Sequence, residues 1–312
     1  YSGRLYGVYG ADDSLDTVSD TFVVFDFASG ELGRLTSQDG SIIDTPPDTF
    51  FIGNSVLSPT GSHILFYAQG SAEDTNGAFK AHYVNLSDGA FHHLYDTPRK
   101  PYFAWKDDTT YFASIAEQSD TESGWIRRIY QKSTDSNFSD WIVEMEGKDS
   151  INGLVVGDDL EIKFRCQARN TPATQHDLME ICTTVPNPFH GTFTYDSSSA
   201  DSLVTLSGEI IAWPQKSSPI VYLPCSVNGQ PNHLCSYNTY HNKVVDIVSV
   251  PEPRLGVILF NPSAQYIILN DSHLFDVKDG TMDGDFLPSP LKLDGKAIDP
   301  SLGLHWFAWR NN

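Results

Sequence analysis

Short apolar stretches separated by turn residues run along the whole chain, and three of them repeat one another. They are residues 102–106, 210–214 and 306–310, each with two large apolar residues, then Ala-Trp, then a polar residue or proline. Apolar runs of about four to eight residues between Gly, Pro, Asn, Asp and Ser are typical of β-strands. No apolar pattern with a helical period persists for three turns. The pattern therefore predicts an all-β protein.

Cutting the chain at this repeat gives segments of about 40 to 50 residues, the length of a four-stranded propeller blade. We predict a six-bladed β-propeller of four-stranded antiparallel blades in one domain, residues 1–312. The carboxy-terminal strand, residues 304–309, is predicted to pair with residues 4–9 of the amino-terminal blade and so close the ring without an open sheet edge. A β-sandwich with accidentally similar aromatic strands is the alternative.

The same segmentation predicts three strands at the ends of blades. Residues 210–213 are predicted as the first strand of a blade, and the preceding blade is predicted to end on a strand between residues 192 and 206. Residues 290–293 are predicted as the last strand of the blade that begins at residue 256.

Two kinds of turn carry a resemblance to a known family. Residues 58–61 before the run 62–66, and residues 261–264 before 265–268, resemble the S-P-D-G turn between the first two strands of TolB-like, WD40-like propeller blades, although both lack its Asp. Residues 84–89 and 25–30 resemble that family's turn between the third and fourth strands. The resemblance implies a propeller fold and a tendency toward binding, and it implies no particular activity.

Acidic residues outnumber basic ones by 40 to 20, which gives a formal net charge of -20. Such a charge repels nucleic acid and anionic lipid, so neither is predicted as a partner. Cationic ligands, Ca²⁺ or a basic protein surface fit better, although acidity that only keeps an exported protein soluble is the alternative. No apolar run approaches the roughly 20 residues of a transmembrane helix. The chain begins with Tyr1, so we expect that a leader has been removed.

The four cysteines form two local pairs, Cys166 with Cys182 and Cys225 with Cys235. Their spacing lacks the C-x₂₋₄-C signature of a structural zinc site. Two disulfides are the simplest interpretation, and they predict an extracytoplasmic, oxidising location. Four reduced, buried cysteines in a cytosolic protein are the alternative.

The longest connections are predicted between second and third strands, at residues 11–20, 69–78, 117–124, 167–177 and 226–232. In a propeller these open on the same side as the connections between blades, and extended loops on a rigid scaffold often carry recognition. Each disulfide is predicted to close the base of one of these loops. A solvated acidic rim without function is the alternative. The candidate partner-binding residues are Asp12, Asp13, Asp16, Asp20, Glu117, Asp120 and Glu122, with Arg99, Lys100 and Arg254 nearer the axis.

Local catalytic motifs are absent from the sequence. There is no G-x-S-x-G elbow, no H-E-x-x-H and no glycine-rich phosphate loop, so no catalytic residue and no cofactor are predicted. Asp279, Asp283 and Asp285, spaced by glycines, could supply oxygen ligands to Ca²⁺, with a plain acidic turn as the alternative. The repeated Trp105, Trp213 and Trp309 are predicted to pack between blades rather than line a ligand cavity.

Together these observations favour a non-catalytic, monomeric binding or scaffold protein outside the cytoplasm. Its partner would be a protein, another macromolecule or a polar small ligand, bound on the long-loop face. One alternative is a propeller hydrolase or lyase, with or without Ca²⁺, whose axial site would draw residues from several blades and leave no local motif. A carbohydrate-binding lectin is the other.

Overall fold

The computed structural model consists of small antiparallel sheets, and its described residues contain no α-helix. It describes residues 2–10, 20–45, 51–69, 79–120, 124–136, 139–147, 151–157, 161–167, 179–184, 192–195, 204–206, 212–213, 218–228, 230–241, 243–249, 258–263, 265–269, 273–300 and 303–311. The predicted all-β class, with small antiparallel sheets as in a β-propeller, is confirmed.

Several inner strands are buried at consecutive positions, as expected when both faces of a sheet are covered, whereas outer strands are more exposed. In chain order they are β1 (Arg4–Tyr9), β2 (Thr21–Asp26), β3 (Glu31–Arg34), β4 (Phe51–Leu57), β5 (His63–Gln69), β6 (Phe79–Asn85), β7 (Phe91–Thr97), β8 (Tyr102–Trp105), β9 (Thr110–Gln118), β10 (Trp125–Ser133), β11 (Ser139–Glu146), β12 (Ile151–Val156), β13 (Ile162–Gln167), β14 (Met179–Thr184), β15 (Thr192–Tyr195), β16 (Val204–Leu206), β17 (Ile220–Val227), β18 (Gln230–Asn238), β19 (Lys243–Ser249), β20 (Ile258–Phe260), β21 (Tyr266–Leu269), β22 (His273–Asp276), β23 (Thr281–Asp285), β24 (Leu291–Leu293), β25 (Lys296–Ile298) and β26 (Leu304–Arg310).

These strands belong to two compact units. The unit made of Tyr1–Lys100 and Gly256–Asn312 contains the sheets β26-β1-β2-β3, β4-β5-β6-β7 and β20-β21-β22-β23, together with the hairpin β24-β25. The unit Pro101–Leu255 contains the sheets β8-β9-β10-β11, β12-β13-β14-β15 and β16-β17-β18-β19. The described residues thus form six four-stranded antiparallel sheets.

The carboxy-terminal strand β26 pairs with β1, as predicted. The two strands run antiparallel, with Leu5 opposite Trp309 and Tyr9 opposite Leu304. Trp309 Nε1 also donates to the Ser2 carbonyl at 3.2 Å. A Cβ at Gly3, which has φ +103°, would lie 1.9 Å from the carbonyl oxygen of Arg310. Glycine is therefore required where the first residues approach the last strand.

The three repeated tryptophans pack in the core. Trp105, Trp213 and Trp309 are 7%, 6% and 7% exposed, so all three are buried, and their packing between blades stays a prediction. Trp213 also packs against a buried cation, since Lys163 Nζ lies 3.9 Å from its ring centre. Glu161 Oε1 is 3.0 Å from the same ammonium. Burial lowers the pKa of Lys163, while Glu161 opposes that shift.

Four turns between third and fourth strands share one mechanism. The side-chain Oδ1 of Asp26, Asn85, Asn238 or Asp276 accepts a hydrogen bond from the backbone N–H two residues later, at 2.8–2.9 Å. This local bond replaces backbone pairing and is the reason that Asp and Asn favour turns. The resemblance of residues 25–30 and 84–89 to a blade turn therefore has a physical basis.

In four sheets the last strand carries one extra residue. The register with the third strand shifts on β7, β11, β19 and β23. The skipped residues are Leu94, Ile142, Val245 and Asp283. Such β-bulges bend a strand and interrupt its ladder, so they make an outer sheet edge a poor template for pairing.

Two predicted strands were wrong. Residues 210–213 are not the first strand of their sheet: that strand is β16, with Val204 opposite Val227, and Ala212 makes only an isolated bridge to Tyr222. β17 continues to Val227, and β16 pairs with its last three residues, from Cys225 to Val227. Residues 290–293 are not the last strand of theirs, because the Asp276 turn leads directly into β23. Leu291 and Leu293 instead lie in the β24-β25 hairpin and are buried.

Candidate functional site

The two ends of the sheets differ in the length of their connections. Between third and fourth strands the connections have four to seven residues in every sheet. Between second and third strands they span residues 10–20, 70–78, 119–124 and 168–178 in four sheets, but only 228–229 and 270–272 in the other two. In each sheet, we call the end that carries the second-to-third-strand connection its connection edge.

One predicted long loop was wrong. The predicted loop 226–232 is mostly strand, because β17 and β18 pair up to Val227 and Gln230. Only residues 228–229 connect the two strands. Asn228 adopts φ +51° there, a conformation that Asn tolerates in tight hairpin turns. The Cys225–Cys235 disulfide is present, as is Cys166–Cys182. It therefore links two strands of a tight hairpin and does not close a loop.

Half of the predicted partner-binding residues can be located. Asp12, Asp13, Asp16, Glu122 and Arg254 lie outside the described residues. Asp120 and Arg99 are exposed, and Lys100 is half-buried. Each stays a predicted binding residue.

Asp20 has a structural contact that the sequence did not reveal. Its Oδ2 accepts a hydrogen bond of 2.7 Å from the backbone N–H of Ile52, so it ties the start of β2 to β4 of another sheet. Burial raises the pKa of Asp20, and this hydrogen bond opposes the shift. A Cβ at Gly10 would lie 2.4 Å from Asp20 Oδ1. The carboxylate thus fits a space that a glycine leaves open.

Glu117 belongs to a polar and aromatic cluster on the sheet β8-β9-β10-β11. Its two carboxylate oxygens accept hydrogen bonds from Arg128 Nη1 and from the Tyr130 hydroxyl, each at 2.5 Å. Arg128 also donates to Glu144 Oε2 at 2.7 Å. We call this group, with two further side chains described next, the Trp141 cluster; its members are Glu117, Arg128, Tyr130, Lys132, Trp141 and Glu144.

Two cations of the Trp141 cluster lie over aromatic rings. The guanidinium carbon of Arg128 is 5.7 Å from the Trp141 ring centre. Lys132 Nζ is 5.1 Å from the Tyr130 ring centre and donates to Ser139 Oγ at 3.0 Å. Positions within about 6 Å of a ring allow cation–π attraction. The side chains are therefore held in place by contacts across three strands.

Hydrogen bonding and burial shift the pKa values of three side chains in this cluster. Hydrogen bonds that Arg128 donates to Glu144 and Tyr130 raise the pKa of Arg128. Burial and the hydrogen bond to Glu117 raise the pKa of Tyr130, so its hydroxyl remains a donor. Burial lowers the pKa of Lys132. Fixed aromatic rings, carboxylates and cations are suited to recognition.

A histidine of the sheet β4-β5-β6-β7 is buried against an aromatic ring. His82 is 8% exposed, and its ring stacks on Phe66 at a centroid distance of 5.5 Å. Its Nδ1 has no hydrogen-bond partner among the described residues. Burial lowers the pKa of His82 from 6.5 to about 4, with His93 and Lys80 adding to the shift and Asp96 opposing it. His82 is therefore neutral at pH 7.

Replacing His82 with Phe should remove an acid-dependent loss of stability. Below pH 6.5 the unfolded chain gains this proton first, so the native protein loses stability until the pH reaches about 4. Allowing for partial solvent screening, we expect His82→Phe to gain on the order of 2 kcal/mol relative to wild type between pH 7 and pH 4. Urea unfolding at both pH values measures this gain. The exposed His92→Phe is the control, and an equal gain there would contradict the prediction.

The candidate Ca²⁺ ligands are spread along one strand. Asp279 lies in the turn before β23, and Asp285 is at its far end, with Oδ1 3.4 Å from His273 Nε2. Asp283 lies in β23 at the extra residue of the bulge. In the described part of the chain, no group of three His, Cys, Asp or Glu side chains is arranged to hold a metal ion.

In the residues that the structure describes, no helix has the length and apolar character to cross a bilayer.

Comparisons with known proteins identify the fold. No family model and no curated protein matches the chain. Among solved structures, TolB from Acinetobacter baumannii is 13% identical with a TM-score of 0.58, covering 91% of this chain and 64% of that one. An oligogalacturonate lyase in complex with manganese is 12% identical, with a TM-score of 0.55 and coverages of 89% and 74%. Hydrazine synthase from Kuenenia stuttgartiensis is 10% identical, with a TM-score of 0.59 and coverages of 98% and 46%.

These identities establish the propeller fold alone, because unrelated functions share it. The chain spans 64% of the TolB chain and 46% of the hydrazine synthase chain. The predicted resemblance to TolB-like propellers is confirmed at the level of the fold.

Proposed function

We propose that this protein is an extracytoplasmic binding or scaffold protein that captures basic segments of a partner protein on the connection edges of its individual sheets. The observation that carries the proposal is the charge of three long connections. Residues 10–20, 70–78 and 119–124 contain eight acidic residues and no Lys or Arg, whereas the whole chain has two acidic residues for each basic one. Each of these connections carries charge of one sign only, which attracts and orients a partner segment of the opposite sign.

The contrast between the two ends of the sheets supports this choice of surface. The turns between third and fourth strands are short, and four of them are fixed by side-chain hydrogen bonds. The second-to-third-strand connections range from two to eleven residues and the third-to-fourth-strand connections from four to seven, while one first-to-second-strand connection, residues 207–219, is also long. Variable loops on a rigid scaffold are a common basis of specificity.

The proposed location follows from the cysteines. Both disulfides join the second and third strands of their sheets, and all four cysteines are fully buried. Disulfides of this kind persist in oxidising compartments. A monomer is proposed as well, because bulges on four outer strands hinder pairing between copies.

Binding of a basic probe peptide tests the function. We expect a 12-residue Lys/Arg-rich peptide to bind in isothermal titration calorimetry at 50 mM NaCl and to weaken by about tenfold at 300 mM, since screening reduces exposed charge attraction. An acidic peptide should not bind. The triple variant Asp12→Asn, Asp13→Asn, Asp16→Asn should lose at least about tenfold in affinity.

A matched variant separates a local site from net charge. Glu31→Gln, Asp88→Asn and Asp279→Asn also remove three charges, but these exposed residues lie at or beside connections between third and fourth strands. This control should change the affinity less than about twofold. If both triple variants weaken binding equally, only the overall charge matters and the proposed edges are wrong.

A further inference from the structure

We infer that the Trp141 cluster binds an arginine side chain of the partner's basic segment. This inference rests on the proposed function and adds to it the chemical group that is recognised and the residue that receives it.

An aromatic ring on the last strand of a sheet is the first observation. Trp141 is 38% exposed and is one of four exposed large hydrophobic residues in the described part of the chain. It lies on β11, the outermost strand of its sheet. Trp, Tyr and Arg dominate the residues that carry binding energy in protein interfaces, and all three occur within this cluster. A partner can therefore reach the indole ring from solvent.

The cluster already holds one guanidinium against this ring. Arg128 lies over Trp141, and Glu117 and Glu144 bind its nitrogens at 2.5 and 2.7 Å. A planar guanidinium stacks on an aromatic face and donates to carboxylates at its edges. A second guanidinium on the solvent-exposed surface of the indole would make the same kind of stacking contact.

The charges around Trp141 favour a cation over an anion. Strand β11 carries Asp140, Glu144 and Glu146, all exposed, and it contains no Lys or Arg. Arg128, which lies over the ring, already binds two carboxylates, and the cluster's other cation, Lys132, donates to Ser139. An incoming phosphate or carboxylate would have to compete with these, whereas an incoming arginine would find carboxylates beside the ring. The geometry therefore selects a basic side chain.

The bulge on β11 explains why side chains rather than backbone would make the contact. The register with β10 shifts between Ile129 and Tyr130, so Trp141 lies opposite Tyr130 while Ile142 is skipped. A bulged edge does not offer an unbroken ladder to an added strand. Recognition at this edge should depend on Trp141 and its neighbours.

Peptides that differ in one functional group test the inference. The probes are three 12-residue peptides that are identical except that their basic positions are arginine, lysine or citrulline, which keeps the shape of arginine without its charge. We expect the arginine peptide to bind about fivefold more tightly than the lysine peptide, because it combines stacking with planar hydrogen bonding. The citrulline peptide should not bind. Equal affinities of the arginine and lysine peptides would overturn the choice of guanidinium.

Trp141→Ala should weaken binding of the arginine peptide by about tenfold, and Trp141→Phe by a smaller factor, because Phe keeps a ring with a weaker cation–π attraction. Tyr240→Ala is the matched control, since Tyr240 is 78% exposed and lies outside the cluster. Thermal unfolding confirms that each variant folds. In wild type, the indole N–H resonance of Trp141, assigned with Trp141→Phe, should shift on titration.

The variants also separate this inference from the function on which it rests. If Trp141→Ala binds like wild type while the Asp12, Asp13, Asp16 triple variant does not, the connection edges bind the partner and the arginine site is wrong. If neither variant changes the affinity, both proposals are wrong.

Discussion

Removing both disulfides should lower the free energy of unfolding by about 6 kcal/mol. Cys166–Cys182 joins residues 16 apart and Cys225–Cys235 joins residues 10 apart. A cross-link limits the unfolded chain, and loops of these lengths correspond to roughly 3 kcal/mol each by the chain-entropy estimate. Guanidinium unfolding of oxidised and reduced wild-type protein measures the sum without deleting any atom. The reduced protein should unfold at a lower denaturant concentration.

Variants that lack one pair of cysteines provide the control. Cys166→Ala with Cys182→Ala, and Cys225→Ala with Cys235→Ala, should each lose about 3 kcal/mol. All four cysteines are fully buried, so some loss of packing will add to these values. The bridges lie in different sheets, and distant effects usually add. A loss below about 1 kcal/mol for either pair would contradict the estimate.

Trp306→Ala should lower the free energy of unfolding by about 4 kcal/mol. Trp306 lies in β26 and is 2% exposed. A Cβ at Gly7 of β1 would lie 2.6 Å from its ring. The indole therefore fills the space that a glycine leaves where the two ends of the chain pair. Truncation of a buried large aromatic residue leaves a cavity and typically costs about 3 to 5 kcal/mol.

Urea unfolding measures this loss, with Trp141→Ala as the control for the same chemical change at a position that is 38% exposed. The control should lose less than about 1 kcal/mol, because most surface substitutions have small effects. Equal losses for the two variants would show that the buried indole of Trp306 contributes no more to stability than the partly exposed indole of Trp141.

Much of the fold was predictable because its signals are local. The predicted first strand and the observed β1 have the same bounds, since apolar and polar residues alternate there. Both disulfides were predicted from cysteine spacing alone. β23 was missed because its sequence Thr-Met-Asp-Gly-Asp is mostly polar, which is common for an outer strand. β16 was missed because residues 210–213 are more apolar and were therefore assigned as the first strand. Which segment forms that strand depends on pairing with β17, which the sequence does not show.

The candidate site was less predictable, because its contacts cross strands. Glu117 was identified from its acidic loop, but its partners Arg128 and Tyr130 lie on another strand, and their approach depends on the register of β9 with β10. The polar residues at alternate positions 128, 130 and 132 were the signal that could have shown a polar face. Asp20 was predicted as a binding residue, and its contact with Ile52 depends on the packing of two sheets.

The extra residues on β7, β11, β19 and β23 bear on how this protein behaves when it is crowded. An extended segment of another molecule could pair with only part of a bulged outer strand, because beyond the bulge its N–H and C=O groups no longer face those of the strand. We therefore expect concentrated solutions to remain clear, and fibrils that grow by strand addition to be slow to nucleate. The same bulged strands can carry exposed apolar side chains, such as Val245, which is 56% exposed, without offering a regular edge for strand addition.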